Sequence, residues 1–363
     1  LAKFRDTHAQ FRHFRIGNNL GRGELPRELA TRLNQLIDDL PRLEAISDQQ
    51  LEPLQEHSTD TRDLLRRQAE SLTNRAAELK QISADIHARA IAAKLNKIFP
   101  DLAGKEKPDP AAPDLLQAAL LIALLDEEEI DTQAYVKLIE RMANDILAAI
   151  KKDAAQADKL AALDKYLFQD NGFHGSRFDY YHRANSYLNR VIDDREGLPI
   201  TLSVLYMELG RRLGLKIEGV GLPGHFIVRQ VNQDGKGQLI DVFNEGKRLT
   251  REDAIKLAAE HSNQPFQDAY LDPVPSRQIL IRMLNNLMSL AQQKEDKESM
   301  LRYVELLMAL DSHSVQYRGM RSILRFETGR KKSAIADLDW FLDHEPENLD
   351  LDRIRQMREY FSR

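Results

Sequence analysis

Apolar side chains recur with helical spacing through the first quarter of the chain. Leu29, Leu33, Leu36, Ile37 and Leu40 form a stripe that stops near Pro41, and Leu43, Ile46, Leu51 and Leu54 resume it. From 62 to 98, Leu65, Leu72, Leu79 and Ile86 repeat every seven residues, with Ala69, Ala76, Ser83 and Ala90 four positions later. This seam of large and small residues predicts one long helix. Its expected partner is another helix of the same chain, as in a hairpin or bundle, rather than a second copy. Residues 101–113 hold three prolines and a glycine and read as a linker. Leu115–Leu125 and Tyr135–Ile150 then predict two further helices, the second with Tyr135, Leu138, Ile139, Met142 and Ile146 on one face.

A third helix is bracketed by its own signals. Pro199 suits the first helical position, where an N–H has no intrahelical acceptor, and Gly214 suits the position that ends it. Leu202, Leu205, Leu209 and Leu213 form its buried stripe. The period changes after 215. Residues 225–231 and 238–243 alternate and are rich in β-branched side chains, which predicts a β-hairpin across 232–237. From 276 onward the pattern is helical again and repeats. Residues 299–312 align with 333–346 at an offset of 34, the tetratricopeptide period. Gly329, Ala334 and Pro346 occupy helix–turn–helix positions, whereas the first copy has Glu295 for the glycine and Ser312 for the proline. Two units are too few to stand alone, so they are expected to pack on the preceding domain.

The predicted class is therefore mostly α with a small antiparallel β-sheet. Three regions are expected: a helical N-terminal region over 1–110, a mixed domain over 111–272 and a helical repeat tail over 273–363. Composition narrows the chemistry. With 52 Lys plus Arg against 57 Asp plus Glu the net charge is −5, which argues against broad nucleic-acid binding despite the Arg and Lys scattered through residues 1–25. The absence of cysteine removes disulfides, thiolate metal sites and every cysteine-nucleophile mechanism, and fits a cytoplasmic protein. No apolar run reaches the roughly 18 residues needed to cross a bilayer, so no membrane role is expected. The sequence begins at Leu1 rather than Met, which leaves room for a removed signal.

Residues 219–224 spell GxGxxG, but a dinucleotide loop must open a helix, and here a strand follows and Pro223 intrudes. No cofactor is expected. His174 and His182 lie eight apart without a carboxylate frame and read as surface or capping residues, not metal ligands. His225 and Asp241 are more suggestive. If the hairpin turns over Asn232–Asp234 with Val231 opposite Gly235, His225 faces Asp241 across the ladder, and a carboxylate there would fix the histidine's tautomer. A longer loop to Gly237 is expected to change the parity and send Asp241 to the other face.

In order, these pieces resemble the transglutaminase-like superfamily. More narrowly, residues 114–360 resemble a bacterial invasion-regulator-type (Sir-B-like) family that fuses this core to C-terminal tetratricopeptide repeats. The resemblance is carried by residues 115–123, Asn185–Asn189, Gly197–Tyr206, Pro223–Arg229 and Arg282–Leu287. It implies a catalytic cysteine opening the helix before Leu209-Gly-Arg211, with His225 and Asp241 as its triad partners. Counting back from Arg211 places that cysteine at Pro199, so the nucleophile is missing. The resemblance thus implies a pseudoenzyme that binds a protein or peptide, in a cleft near Asn185, Tyr187, His225 and Asp241. The alternative is a hydrolase or acyltransferase in which Thr201 or Ser203, one turn or less into the helix, replaces the cysteine and is activated by His225. A nucleic-acid-binding regulator is a third reading, opposed by the acidic net charge.

Overall fold

The computed structural model describes residues 58–100, 114–232, 237–260, 262 and 264–363, together with 31, 35, 52 and 55. The proposed linker, nearly all of the stripe over 27–57, and the basic residues of 1–25 lie outside them. The chain divides into two compact units, residues 1–84 and 85–363.

Helix α1 (Ser58–Ile98) is continuous, as the heptads predict. Its seam is not buried, however: Leu72 and Leu79 in the first unit, and Ile86 in the second, are exposed. That corrects the expectation of a closely packed helix pair along this face. Within the second unit, a different stripe of α1 faces the core. Ala88, Ile91, Leu95 and the following Phe99, spaced three or four apart, are buried there.

The second unit is built around α2 (Leu115–Leu124), α3 (Thr132–Ala148), α4 (Gln156–Asp164), α5 (Leu188–Asp194) and α6 (Pro199–Arg212). Helix α2 is apolar on every side and is buried accordingly, with Asp114 capping it by accepting from Gln117 N at 2.9 Å. Helix α6 begins at Pro199 and ends before Gly214, whose φ of 75° is the left-handed conformation expected of the terminating residue. A four-stranded antiparallel sheet packs against it: β3 (Ile217–Leu222), β4 (His225–Val231), β5 (Gly237–Asp241) and β6 (Lys247–Leu249), in that order. The glycine-rich GxGxxG segment supplies strand β3 and its turn into β4, not a phosphate loop. A two-stranded parallel pair, β1 (His174–Gly175) with β2 (Glu196–Gly197), precedes α6, and α7 (Arg251–Ala259) follows the sheet.

The hairpin register is that of the longer-loop alternative, but its consequence for Asp241 is not the one expected. Val231 lies opposite Gly237, so the longer loop is used. Parity nonetheless survives, because Gly235 and Gly237 are two residues apart and a shift of two returns every side chain to its original face. Asp241 therefore stays on the face of His225, meeting it diagonally rather than head-on.

The tail is a run of helices: α8 (Ser276–Gln293), α9 (Lys297–Leu310), α10 (Val315–Glu327), α11 (Lys331–His344) and α12 (Leu351–Ser362). Helices α9 and α11 start 34 residues apart, in agreement with the sequence repeat. Helices α8 and α9 share the main core with α2 and α6, whereas Ala334, Leu338, Phe341, Ile354 and Phe361 form a small core of their own. Gly329 and Glu295 occupy equivalent turns, with φ of 82° and 53°. The exposed glutamate sits where a side chain is disfavoured. Glu295→Gly is expected to stabilise the chain by about 1 kcal/mol, net of glycine's larger unfolded-state entropy. A shift of the urea midpoint to higher concentration at unchanged slope would record it.

Candidate functional site

The site lies where the start of α6, the β1–β2 pair and the ends of β4 and β5 converge. His225 opens β4 and Asp241 closes β5. Their side chains meet at 3.1 Å, Nε2 to Oδ1, and are 6% and 2% exposed. The turn after β5 holds the carboxylate from the other side: Asn244 N donates to Oδ1 at 3.3 Å and Asn244 Nδ2 to Oδ2 at 2.7 Å. Burial pushes the Asp241 carboxyl up, but the bonds from His225 and Asn244 outweigh it and hold the group below the usual carboxylate range. Phe243 packs edge-on to the His225 ring with centroids 5.8 Å apart, and Tyr180 packs edge-on to Phe243 at 6.2 Å. Gly175 is needed here because a Cβ would stand 2.5 Å from the Phe243 ring.

Pro199 occupies the first position of α6, two residues after Gly197, whose carbonyl accepts from Ser176 N at 3.0 Å. The Thr201 hydroxyl is committed to the backbone. It donates to Asn185 O at 2.8 Å and accepts from Leu198 N at 3.0 Å, tying the helix start to the preceding loop. Ser203 is fully buried and its Oγ has no hydrogen-bond partner, so neither hydroxyl bonds the His225 ring. Ser176, which sequence reasoning did not single out, is likewise fully buried with an unpartnered Oγ.

Asn185 braces the loop beside the start of α6, whereas Tyr187 is drawn elsewhere. Asn185 is buried and donates from Nδ2 to Asp179 O at 2.7 Å. Tyr187 is buried in a polar cluster centred on Asp126, just beyond α2. The Asp126 carboxylate accepts from the Tyr187 hydroxyl, from Tyr303 at 2.7 Å, and from Arg183 and Arg302 at 2.7 and 2.9 Å. Arg183 also donates to the hydroxyls of Tyr187 and Tyr303. Tyr187 thus belongs to a second arrangement, centred on Asp126, while Asn185 stays bonded through its carbonyl to the start of α6. No local pattern foretold the second, because Asp126 and Tyr303 lie 177 residues apart.

His182 caps the short helix over 183–186 by accepting from Ala184 N at 3.3 Å. Among the described residues no group of three His, Asp or Glu side chains is arranged to hold a metal ion, and no helix is long and apolar enough to cross a membrane.

Comparison with known proteins divides the chain in the same order. Residues 133–285 match the transglutaminase-like superfamily, and residues 287–359 match the tetratricopeptide repeat. A UPF0162 protein of Xylella fastidiosa (strain Temecula1) is 32% identical over 246 residues, spanning 66% of this chain and 87% of that protein. Human F-box only protein 21 is 31% identical over 185 residues, covering 48% of this chain and 29% of that protein. Protein SirB1 of Salmonella typhimurium is 23% identical over 242 residues, which is 66% of this chain and 88% of its own length.

Proposed function

Because the chain belongs to the UPF0162 family and joins a transglutaminase-like region to tetratricopeptide repeats, we propose that it is a non-catalytic protein-interaction or regulatory module. The observation that carries this reading is Pro199. Family resemblance assigns the nucleophile to this position, and a proline there has neither a nucleophilic atom nor a backbone N–H to polarise a carbonyl. Cysteine is absent from the whole sequence, so none can substitute.

His225 and Asp241 then serve the fold. Their buried contact links β4 to β5, and Asn244 extends it into the following turn. In this reading residues 111–272 are the transglutaminase-like domain, residues 273–363 the repeat tail, and a protein or peptide is the partner. The repeats support that partner class, because stacked helix pairs present extended binding faces.

The hydrolase or acyltransferase alternative draws on Ser203, whose orphan hydroxyl lies one turn inside α6. It is weakened by complete burial of that group and by the commitment of Thr201 to backbone partners. Turnover separates the two readings. Purified chain offered p-nitrophenyl esters, thioesters and glutaminyl peptides with amine acceptors is expected to match the rate of its His225→Ala variant. A rate at least a hundredfold above that variant, for any of these substrates, would support catalysis instead.

A further inference from the structure

Helix α8 carries Arg282 to the edge of the His225–Asp241 site. Its Nη2 donates to two carbonyls flanking the β3–β4 turn, Leu222 O at 3.0 Å and His225 O at 2.7 Å. Its guanidinium carbon lies 5.5 Å from the centroid of the Phe226 ring. No carboxylate of the described residues forms an ion pair with it. In this it differs from Arg183, Arg302, Arg321, Arg325 and Arg330 of the same unit, each of which has an acidic partner. Burial accordingly pulls the Arg282 pKa down, opposed only by nearby Tyr180. A guanidinium has five N–H donors, and two backbone carbonyls on one nitrogen leave the others for a further acceptor. The side chain is only part-buried.

The loop beside it has a complementary character. Tyr180 packs inward on Phe243, which packs in turn on the His225 ring, and Arg282 holds the carbonyl of that same histidine. The neighbours of Tyr180, Phe178 and Tyr181, are exposed, the first fully. A loop carrying exposed aromatic side chains that packs on the same histidine as a cation without a carboxylate partner is suited to an anion carried on an apolar frame.

We infer that Arg282 and the loop bearing Phe178, Tyr180 and Tyr181 form a binding subsite for an acidic peptide, with a carboxylate on Arg282 and an adjacent apolar or aromatic side chain on the loop. The subsite deepens the interaction reading and rests on it. It gives Arg282 two roles, buttressing the β3–β4 turn and presenting a charge to the partner.

Two probes differing only in charge test it: N-acetyl-Asp-Phe-amide and N-acetyl-Asn-Phe-amide, titrated into the full chain at low salt. The aspartyl peptide is expected to bind at least tenfold more tightly and to shift the Arg282 Nε–Hε resonance. In Arg282→Gln the two affinities should fall within twofold, and Phe178→Ala should weaken both peptides alike. The Nε–Hε shift is read on the unaltered chain, so the test survives if Arg282→Gln does not fold. Equal affinities in the unaltered chain, no binding of the aspartyl peptide, or a charge preference that persists in Arg282→Gln would each overturn the subsite. None of these outcomes would restore a nucleophile, so the subsite fails separately from the non-catalytic reading, which turnover decides.

Discussion

Replacing Asp126 with alanine is expected to destabilise the chain by about 3–5 kcal/mol, the range for removing one partner from a buried ionic cluster. The carboxylate is the shared acceptor for two tyrosine hydroxyls and two arginines. Without it, Arg183 and Arg302 are left as part-buried cations, and the hydroxyls of Tyr187 and Tyr303 lose their acceptor. The cluster joins the end of α2 and the loop before α5 to helix α9, so it binds the transglutaminase-like region to the repeats. Equilibrium urea unfolding at pH 7 would measure the loss, and Asp126→Asn, which keeps size and some hydrogen bonding, should recover part of it.

Acid should reproduce the effect. Burial pushes the Asp126 carboxyl up, but Tyr187, Tyr303, Arg183 and Arg302 together overcome this and hold it below the ordinary carboxylate range. Because the folded-state value lies below the unfolded one of about 3.9, the group's stabilisation is fully present above the latter. It is lost as pH falls from about 4 through the folded-state value. Asp241 has the same sign and adds to the loss. The stability difference between the unaltered chain and Asp126→Asn should therefore narrow on acidification from pH 5 to pH 2.

Asp337→Ala is expected to have a comparable cost, again about 3–5 kcal/mol. Asp337 on α11 is almost wholly buried and takes two arginines of α10, Arg321 at 2.5 Å and Arg325 at 2.8 Å. Both arginines also reach Glu305 of α9, at 3.1 and 2.5 Å. The four side chains form a closed ring across three consecutive repeat helices. Arg318, whose guanidinium carbon lies 3.9 Å from the Trp340 ring centroid, is 3.6 Å from Asp337 and adds a third cation. Deleting Asp337 leaves three arginines with one carboxylate, and their mutual repulsion adds to the lost hydrogen bonds. The change should loosen α10–α12 first, since their separate apolar core is small. Hydrogen exchange should therefore rise in α10–α12 before it rises in α2 and α6.

What was legible in the sequence was local and periodic. Pro199, Gly214 and the intervening leucines mark α6 because capping and burial are written in neighbouring residues. The 34-residue offset marks the repeat because each unit makes the same packing demand on its helices. Side-chain parity along β4 and β5 was enough to bring His225 towards Asp241, although the loop's effect on parity was misjudged by treating a two-residue lengthening as a change of face. Strands β3 and β6 escaped notice because one is rich in glycine and the other spans only three residues. On α1, heptad spacing identified a helix but not its buried side, since Ala88, Ile91 and Leu95 form a second stripe with equally good spacing. The Asp126 cluster and the position of Arg282 depend on contacts between distant segments, and no short-range pattern encodes them.

The proposal that the chain is non-catalytic is tested most directly by labelling purified chain with a broad fluorophosphonate and an acyl probe, alongside His225→Ala, and mapping any adduct by mass spectrometry. The account predicts no stoichiometric adduct at Ser176, Thr201 or Ser203, and the same trace background in both proteins. An adduct at any of these hydroxyls that forms in the unaltered chain and disappears in His225→Ala would contradict it, establishing a histidine-activated nucleophile beside Pro199.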